Sequence, residues 1–354
     1  MVSSGGEVAL AKGEVLERIQ EAKDKLGRDV VVLGHHYQAD DLIRFADHRG
    51  DSLELSRVAA SSRDASWIVF CGVDFMAESA ALLCDARQQV FIPSREARCP
   101  MAAMADRTGA KEAWERLIQV WGADIIPITY QNSSAELKAF CGELGGAVCT
   151  SSNAGAVFRW AFGQKGRILF FPDEHLGRNT ALSLGLAAEE IAVWDPEGPP
   201  DQQAGLRDSR VVVWKGYCRV HTRFTVQQVR EARERYPQAR VVVHPECPAE
   251  VVAVSDESGS TSYIVRVVEE SSAGATLVIG TEKNLVSRLA AEHPDKTVVP
   301  LSPSLCGAMG RITPQKLLSV LEAILDKRVG SAVQVPPETV AGATLALDRM
   351  LAVA

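Results

Sequence analysis

Three cysteines stand apart as candidate ligands: Cys99 in EARCPMA, Cys218 in GYCRVH and Cys306 in SLCGAM, each among small or turn-forming neighbours in a loop that follows a strand-like run. They lie too far apart for a CxxC knuckle, so a metal site made from them has to be assembled from distant parts of the chain. Thiolates favour zinc or an iron-sulfur cluster. Three protein ligands leave one coordination position open, where a substrate hydroxyl or carboxylate can be polarised. Spacing alone also admits plain packing cysteines.

His244 and Glu246 in HPEC are two apart, so an extended strand end points both the same way as an acid-base pair. The alternative is a strand-capping histidine beside a solvated glutamate. Ser151 and Ser152 are expected to open one helix, and Ser260 with Thr261 another after Gly259. Hydroxyls and free amides at such starts bind carboxylates and phosphates, although ordinary N-capping uses the same residues.

The elements that must position these residues follow a repeated pattern of short β-branched run, reactive loop and helix with apolar spacing of three and four. The runs fall at 30–33, 67–70, 90–92, 124–128, 168–171, 211–214, 241–243, 251–254, 276–279 and 297–301. Strands alternating with helices in this way predict an α/β protein with parallel sheets, whose ligands bind beyond the carboxyl ends of the strands. A helix is expected over 13–27, Thr225 with Gln228 reads as a capping box, and Thr313 before Pro314 reads as an N-cap and first helical residue. Residues 195–210 form a turn-rich insertion, and a last helix is expected from 338 to about 353.

The chain has 354 residues, enough for two to three domains, and a formal net charge of -7. It carries no basic stripe suited to a nucleic-acid backbone and no apolar stretch long enough to span a membrane. Residues 1–12 read as a short tail with no basic region ahead of a hydrophobic core, which implies a cytoplasmic protein. In that setting the eight cysteines are expected to be thiols or ligands rather than a disulfide framework.

The ordered set GHHYQ (34–38), GDSLELSR (50–57), FCGVDFMAES (70–79), EARCPMA (96–102), TYQNSSAELKA (129–139), CTSSNA (149–154), PDEHLG (172–177), GYCRVH (216–221), HPEC (244–247), GSTS (259–262) and GTE (280–282), with the Cys306 loop, resembles the quinolinate synthase family of bacterial NAD biosynthesis. Each motif is weak alone, but together and in order they are specific, and they cover about residues 28–320. The resemblance implies three similar three-layer αβα domains with parallel sheets, arranged as a triangle around a central active site. Their expected spans are 1–103, 104–216 and 217–312, with 313–354 packing back on the first. It also implies one 4Fe-4S cluster held by Cys99, Cys218 and Cys306, with the fourth iron as the open position. Cys71, Cys149 and Cys247 lie inside matching motifs without being carried over as ligands.

The family condenses iminoaspartate with dihydroxyacetone phosphate, losing phosphate and two waters to give quinolinate. By motif match, His35, Tyr37 and Ser52 come from the first domain, Tyr130, Asn132 and Ser151 from the second, and His221, His244, Glu246, Ser260 and Thr261 from the third. Glu246 is expected to be the main general base or acid, with Tyr37, His35 and His221 moving protons; the other residues, with His35, His244 and Glu246, hold substrate. Arg98 and Gln131 depart from the family pattern, and Gln131 is expected to point away from the site. An aspartate-oxidising enzyme is the implied supplier of the unstable iminoaspartate. Two rival readings are an iron-sulfur hydro-lyase for another hydroxy acid and a metabolite-binding or structural zinc protein.

Overall fold

The computed structural model describes residues 11–198, 206–328, 330 and 332–353. Most of the expected N-terminal tail, and residues 199–205 of the turn-rich insertion, lie outside the described residues.

The chain opens with α1 (Lys12–Leu26), β1 (Val30–His35), α2 (Asp40–Ile43), β2 (His48–Gly50), α3 (Ser52–Ser61), β3 (Trp67–Cys71), α4 (Asp74–Leu83) and β4 (Gln89–Phe91). It continues with α5 (Arg107–Trp121), β5 (Ile125–Tyr130), α6 (Ala135–Glu143), β6 (Ala147–Cys149), α7 (Ala154–Phe162), β7 (Arg167–Phe171), α8 (Glu174–Ser183), β8 (Ile191–Trp194) and β9 (Val211–Trp214). A third set comprises α9 (Val226–Arg235), β10 (Arg240–Val243), α10 (Ala249–Val254), β11 (Glu257–Ser258), α11 (Thr261–Glu270), β12 (Thr276–Gly280), α12 (Lys283–Glu292) and β13 (Thr297–Pro300). The helices α13 (Pro314–Leu325) and α14 (Pro337–Val353) close the chain.

The strands form three parallel sheets, ordered β2-β1-β3-β4, β6-β5-β7-β9-β8 and β11-β10-β12-β13. The first four positions repeat in all three, with β8 added outside the second sheet. The α/β architecture of the sequence reading is what the chain adopts. Helices cover both faces, which is why β5, β7, β9 and β10 read as apolar runs rather than alternating ones. The capping box at Thr225 and the cap at Thr313 form as expected.

Two expectations fail locally. Residues 251–254, read as a strand, are the end of α10: Pro248 occupies the N-cap, and the β-branched run follows it into a helical turn. The strand that belongs there is β11, two residues further on. Ser151 and Ser152 do not begin a helix; they lie in the turn before α7, which opens at Ala154 with Asn153 at its N-cap. Asn153 Oδ1 takes the Thr150 N–H at 2.7 Å, a closed turn that displaces the start by two residues.

α13 lies against α1, whereas α14 crosses α6 and β6 and also touches α4 and α7. The α6–α14 crossing is close because glycines face each other: a Cβ on Gly142 would stand 1.9 Å from Gly342 O. Behind it Ala343, Ala346, Leu347 and Met350 pack on Ala139 and Val148. Gly142→Ala is therefore expected to lever α14 off its seat and cost about 1–3 kcal/mol. Urea denaturation checks this, and a midpoint equal to the wild type would show that the crossing contributes nothing.

Candidate active site

The three candidate cysteines occupy the same place in the three sheets, each in the loop after the fourth strand of the repeated order: β4, β9 and β13. In each case the helix after the neighbouring strand ties the loop down with its first residue. Asp74 N–H donates to Ala97 O at 2.9 Å, Glu174 N–H to Gly216 O at 2.9 Å, and Lys283 N–H to Ser304 O at 2.7 Å. Each acceptor lies two residues before its cysteine. Carboxylates add a second tether: Cys99 N–H donates to Asp74 Oδ1 at 3.2 Å and Cys306 N–H to Glu282 Oε1 at 3.3 Å. None of the three is in a disulfide. Burial pushes all three thiols up, Cys99 to about 12, so they stay protonated at neutral pH unless a metal displaces the proton.

The cysteines form one wall of a small chamber of ≈ 60 Å³, room for only a few waters. The opposite walls are strand ends. β1 supplies His35 and Tyr37, the end of β5 supplies Tyr130 and Asn132, and the end of β10 supplies His244 and Glu246. The same offset of two residues thus recurs on the second strand of each sheet's order. Ser52, Ser151 and Thr261, at or just before the helices that follow the edge strands, complete the lining.

Glu246 is the electrostatic centre. It is 2% exposed, with Oε2 2.5 Å from His221 Nδ1 and 3.7 Å from His244 Nδ1. The His221 contact is close, but the ring is not aligned for a hydrogen bond, and Glu246 Oε1 has no protein partner among the described residues. Burial opposes ionisation of Glu246, but His221 and then His244 outweigh it and hold the carboxyl below its usual range. The two imidazoles stack, with centroids 4.3 Å apart. Burial, with repulsion from His221, lowers His244 to about 3, so it is a neutral ring. Burial also keeps His35 well below the ordinary histidine value. Tyr37 Oη is 2.8 Å from Thr281 Oγ1 and 3.3 Å from His221 Nε2, which itself lies 3.2 Å from Thr281 Oγ1. Burial and then Glu246 raise both Tyr37 and Tyr130 well above the ordinary phenol, keeping them protonated donors. Asn132 Oδ1 is buried without a partner. The site therefore combines a buried carboxylate, neutral histidines and phenols, and an amide oxygen with no partner among the described residues, a set fitted to proton transfer on an anionic substrate.

Two expected residues stand behind the wall rather than in it. His221 contacts Glu246 and Tyr37 from outside the chamber lining, and the Ser260 hydroxyl accepts the Tyr263 N–H at 3.2 Å as the N-cap of α11. Gln131 is buried away from the chamber, with Nε2 2.9 Å from Ser56 Oγ, joining β5 to α3. A compact group of Cys218, His221 and Glu246 has ligand atoms within 4.8 Å of one another. Thr281, which joins Tyr37 to His221, and Asp173, buried with Oδ2 unpartnered, were missed by sequence reasoning. Both lie inside quoted motifs, GTE and PDEHLG, but a Thr or Asp beside a helix start reads as a cap until its neighbours in space are known.

A family model described as Quinolinate synthetase A protein matches residues 17–352. The chain belongs to the quinolinate synthase family. The quinolinate synthase of Bacillus subtilis (strain 168) is 47% identical over 347 residues, which span 97% of this chain and 94% of that relative. That of Corynebacterium glutamicum is 48% identical over 345 residues, 96% of this chain and 88% of that relative. That of Halalkalibacterium halodurans is 46% identical over 345 residues, 97% and 94%. Membership makes the chain an enzyme, and no helix among the described residues is long and apolar enough to cross a membrane.

Two histidines of this quinolinate synthase family member, the half-buried His36 and the buried His244, set a pH dependence. Burial, aided by Arg288, lowers His36 to about 4, and His244 stands at about 3. Unfolded, each titrates near about 6.5, so in the window below that value the unfolded state binds the extra protons and stability falls with pH. The slope reaches about 1.4 kcal/mol per pH unit for each histidine and ends for each at its folded value. Urea denaturation at about pH 7 and about pH 5.5 should show this loss, and His36→Asn should flatten it by about one proton. An unchanged slope in H36N would mean that His36 is not held neutral by the fold.

Proposed function

We propose that the enzyme condenses iminoaspartate with dihydroxyacetone phosphate to quinolinate, releasing one phosphate and two waters, with a 4Fe-4S cluster held by Cys99, Cys218 and Cys306. The observation that carries the reading is the convergence of these three thiols, from equivalent loops of three sheets, on one wall of the chamber that contains Glu246. The residues fit such a group. They are free thiols without a disulfide partner, and behind them lies an outer groove of ≈ 480 Å³ that the same three cysteines line. Each thiolate of a cubane binds a different iron, which suits ligands brought from three separate loops. When bound, the cluster supplies a Lewis acid, an iron without a protein ligand that can polarise a substrate oxygen.

The chain's own residues do the rest. Glu246, ionised and buried, takes a proton from the carbon acid of the substrate and returns it to a departing hydroxyl. His221 steadies the carboxylate from behind and connects it to Tyr37, whose hydroxyl, fixed by Thr281, moves a proton during isomerisation. His35, edge-on to Tyr37 at 4.8 Å, and His244 stay neutral and offer hydrogen bonds without adding charge. Tyr130, Asn132, Ser52, Ser151 and Thr261 hold the carboxylates and phosphate, and the unpartnered Asn132 oxygen accepts a substrate N–H. Ser260 supports this indirectly, by fixing the start of α11. Iminoaspartate hydrolyses readily, so an aspartate-oxidising enzyme that releases it nearby is the natural supplier. Free thiols of this kind belong in the reducing cytoplasm.

A second reading rests on the compact Cys218, His221 and Glu246 group, whose mixed sulfur, nitrogen and oxygen donors suit a single zinc ion. It would remove Glu246 from proton transfer and leave Cys99 and Cys306 without a task.

Quinolinate formation by anaerobically purified, iron-reconstituted protein, given dihydroxyacetone phosphate and freshly generated iminoaspartate, tests the activity. Product is expected, and Glu246→Gln should lower kcat by about 10²–10⁴-fold with its cluster retained. No product from protein with an intact cluster would reject the assignment of substrates; full turnover by E246Q would reject the role of Glu246.

A further inference from the structure

A second cavity of ≈ 510 Å³, open to solvent, lies beside the small chamber and shares Asp51 and Ser151 with it as walls. Two contacts join different sheets' helices and loops at this wall: Ser152 Oγ donates to Asp51 Oδ2, and Ser262 Oγ donates to Glu54 Oε2 at 2.8 Å. The chamber has ≈ 60 Å³ against ≈ 510 Å³ for this outer cavity, so the outer cavity is the roomier of the two for a phosphate ester.

Three arginines line the outer cavity, Arg57, Arg159 and Arg266. Each is the sixth residue of its helix: Arg57 of α3, Arg159 of α7 and Arg266 of α11. Those helices follow β2, β6 and β11, the edge strands at the same position of the three sheets. The same charge therefore arrives at one cavity from three equivalent directions. All three arginines are exposed, and among the described residues none forms an ion pair; Arg266 only lies over the Tyr263 ring, 5.4 Å from its centre. The cavity also holds two carboxylates, Asp51 and Glu54, which pair with hydroxyls and backbone N–H groups of its own wall and with none of the arginines, leaving the arginines in excess by one charge. Asp51 accepts the Leu53 and Glu54 N–H groups and the Ser152 hydroxyl, and Glu54 accepts the Asp51 N–H and the Ser262 hydroxyl. On a chain of net charge -7, three unpaired guanidinium groups gathered at one mouth are a local reversal of sign. Guanidinium forks match the oxygens of a phosphate group, and three of them around a cavity suit a tetrahedral dianion better than a planar carboxylate.

The geometry points to a phosphate-capture site formed by Arg57, Arg159 and Arg266 at the mouth of the active-site chamber. It takes in the phosphate ester and receives the inorganic phosphate that leaves. The part played in turnover rests on the proposed reaction, since that reaction supplies the phosphate ester; the anion site itself does not.

The test is calorimetric titration of the cluster-loaded enzyme with inorganic phosphate, beside steady-state kinetics in dihydroxyacetone phosphate. Phosphate is expected to bind the wild type in a salt-sensitive way. The R57Q/R159Q/R266Q variant should bind it about tenfold or more weakly and show a KM raised by a similar factor, with kcat changed far less. Arg230→Gln, on the exposed face of α9, serves as the charge control and should leave both unchanged. Equal phosphate affinity in the triple variant and the wild type overturns the site. Succinate binding that phosphate does not displace overturns it as well, by assigning the arginines to the dicarboxylate. If the wild type makes no quinolinate yet binds phosphate through these arginines, the proposed reaction fails while the anion site stands.

Discussion

A single backbone hydrogen bond, made three times, underlies the architecture of the site. In each sheet the first residue of the helix that follows the third-position strand donates its N–H to the carbonyl two residues before a cysteine: Asp74 to Ala97, Glu174 to Gly216, Lys283 to Ser304. A helix start has free N–H groups that need acceptors, and here the acceptor is the loop that carries the thiol. The strand end, the helix start and the cysteine loop are thereby locked as one unit. Because the unit recurs at the same position in three parallel sheets, three thiols distant in sequence meet at one wall.

The same repetition distributes the remaining chemistry. The second-position strands β1, β5 and β10 deliver residues two apart: His35 and Tyr37, Tyr130 and Asn132, His244 and Glu246. The edge-strand helices α3, α7 and α11 bring hydroxyls inward near their starts and arginines outward at their sixth positions. Polarity is graded along this direction. The chamber is small, and at its centre the Glu246 carboxylate lies against two stacked imidazoles, so a charge there is stabilised largely by groups fixed in advance. The outer cavity is wet and positive, suited to collecting anions rather than to changing their protonation. Each layer of the fold thus has a distinct electrostatic task.

Much of this was legible in the residues. The long β-branched runs at 30–33, 168–171 and 211–214 marked strands because buried parallel strands need apolar side chains on both faces. Among the candidate site residues, the three cysteines, His244 with Glu246, and the hydroxyls at 151–152 and 260–261 stood out by type and place, whereas His35, Tyr37, Ser52, Tyr130, Asn132 and His221 were named only through the family resemblance. What failed was governed by tertiary context. His48–Gly50 and Glu257–Ser258 are short, polar edge strands that become strands only by pairing with β1 and β10. Residues 251–254 have a strand-like composition yet follow Pro248 into a helix. Ser260 offers the same hydroxyl as Ser151, and only the position of Tyr263 shows that it is spent as a cap. The threefold relation was expected only through the family resemblance, because it resides in strand order and hydrogen-bond offsets rather than in residues that align.

The central claim is that three equivalent thiols form one cluster site. Iron and sulfide quantification with Mössbauer spectroscopy on anaerobically reconstituted protein tests it most directly. The account predicts about four irons and four sulfides per chain, lost in each of Cys99→Ser, Cys218→Ser and Cys306→Ser but kept in Cys71→Ser. A single zinc ion that survives substitution of Cys99 and Cys306 and is lost only with Cys218 would contradict it.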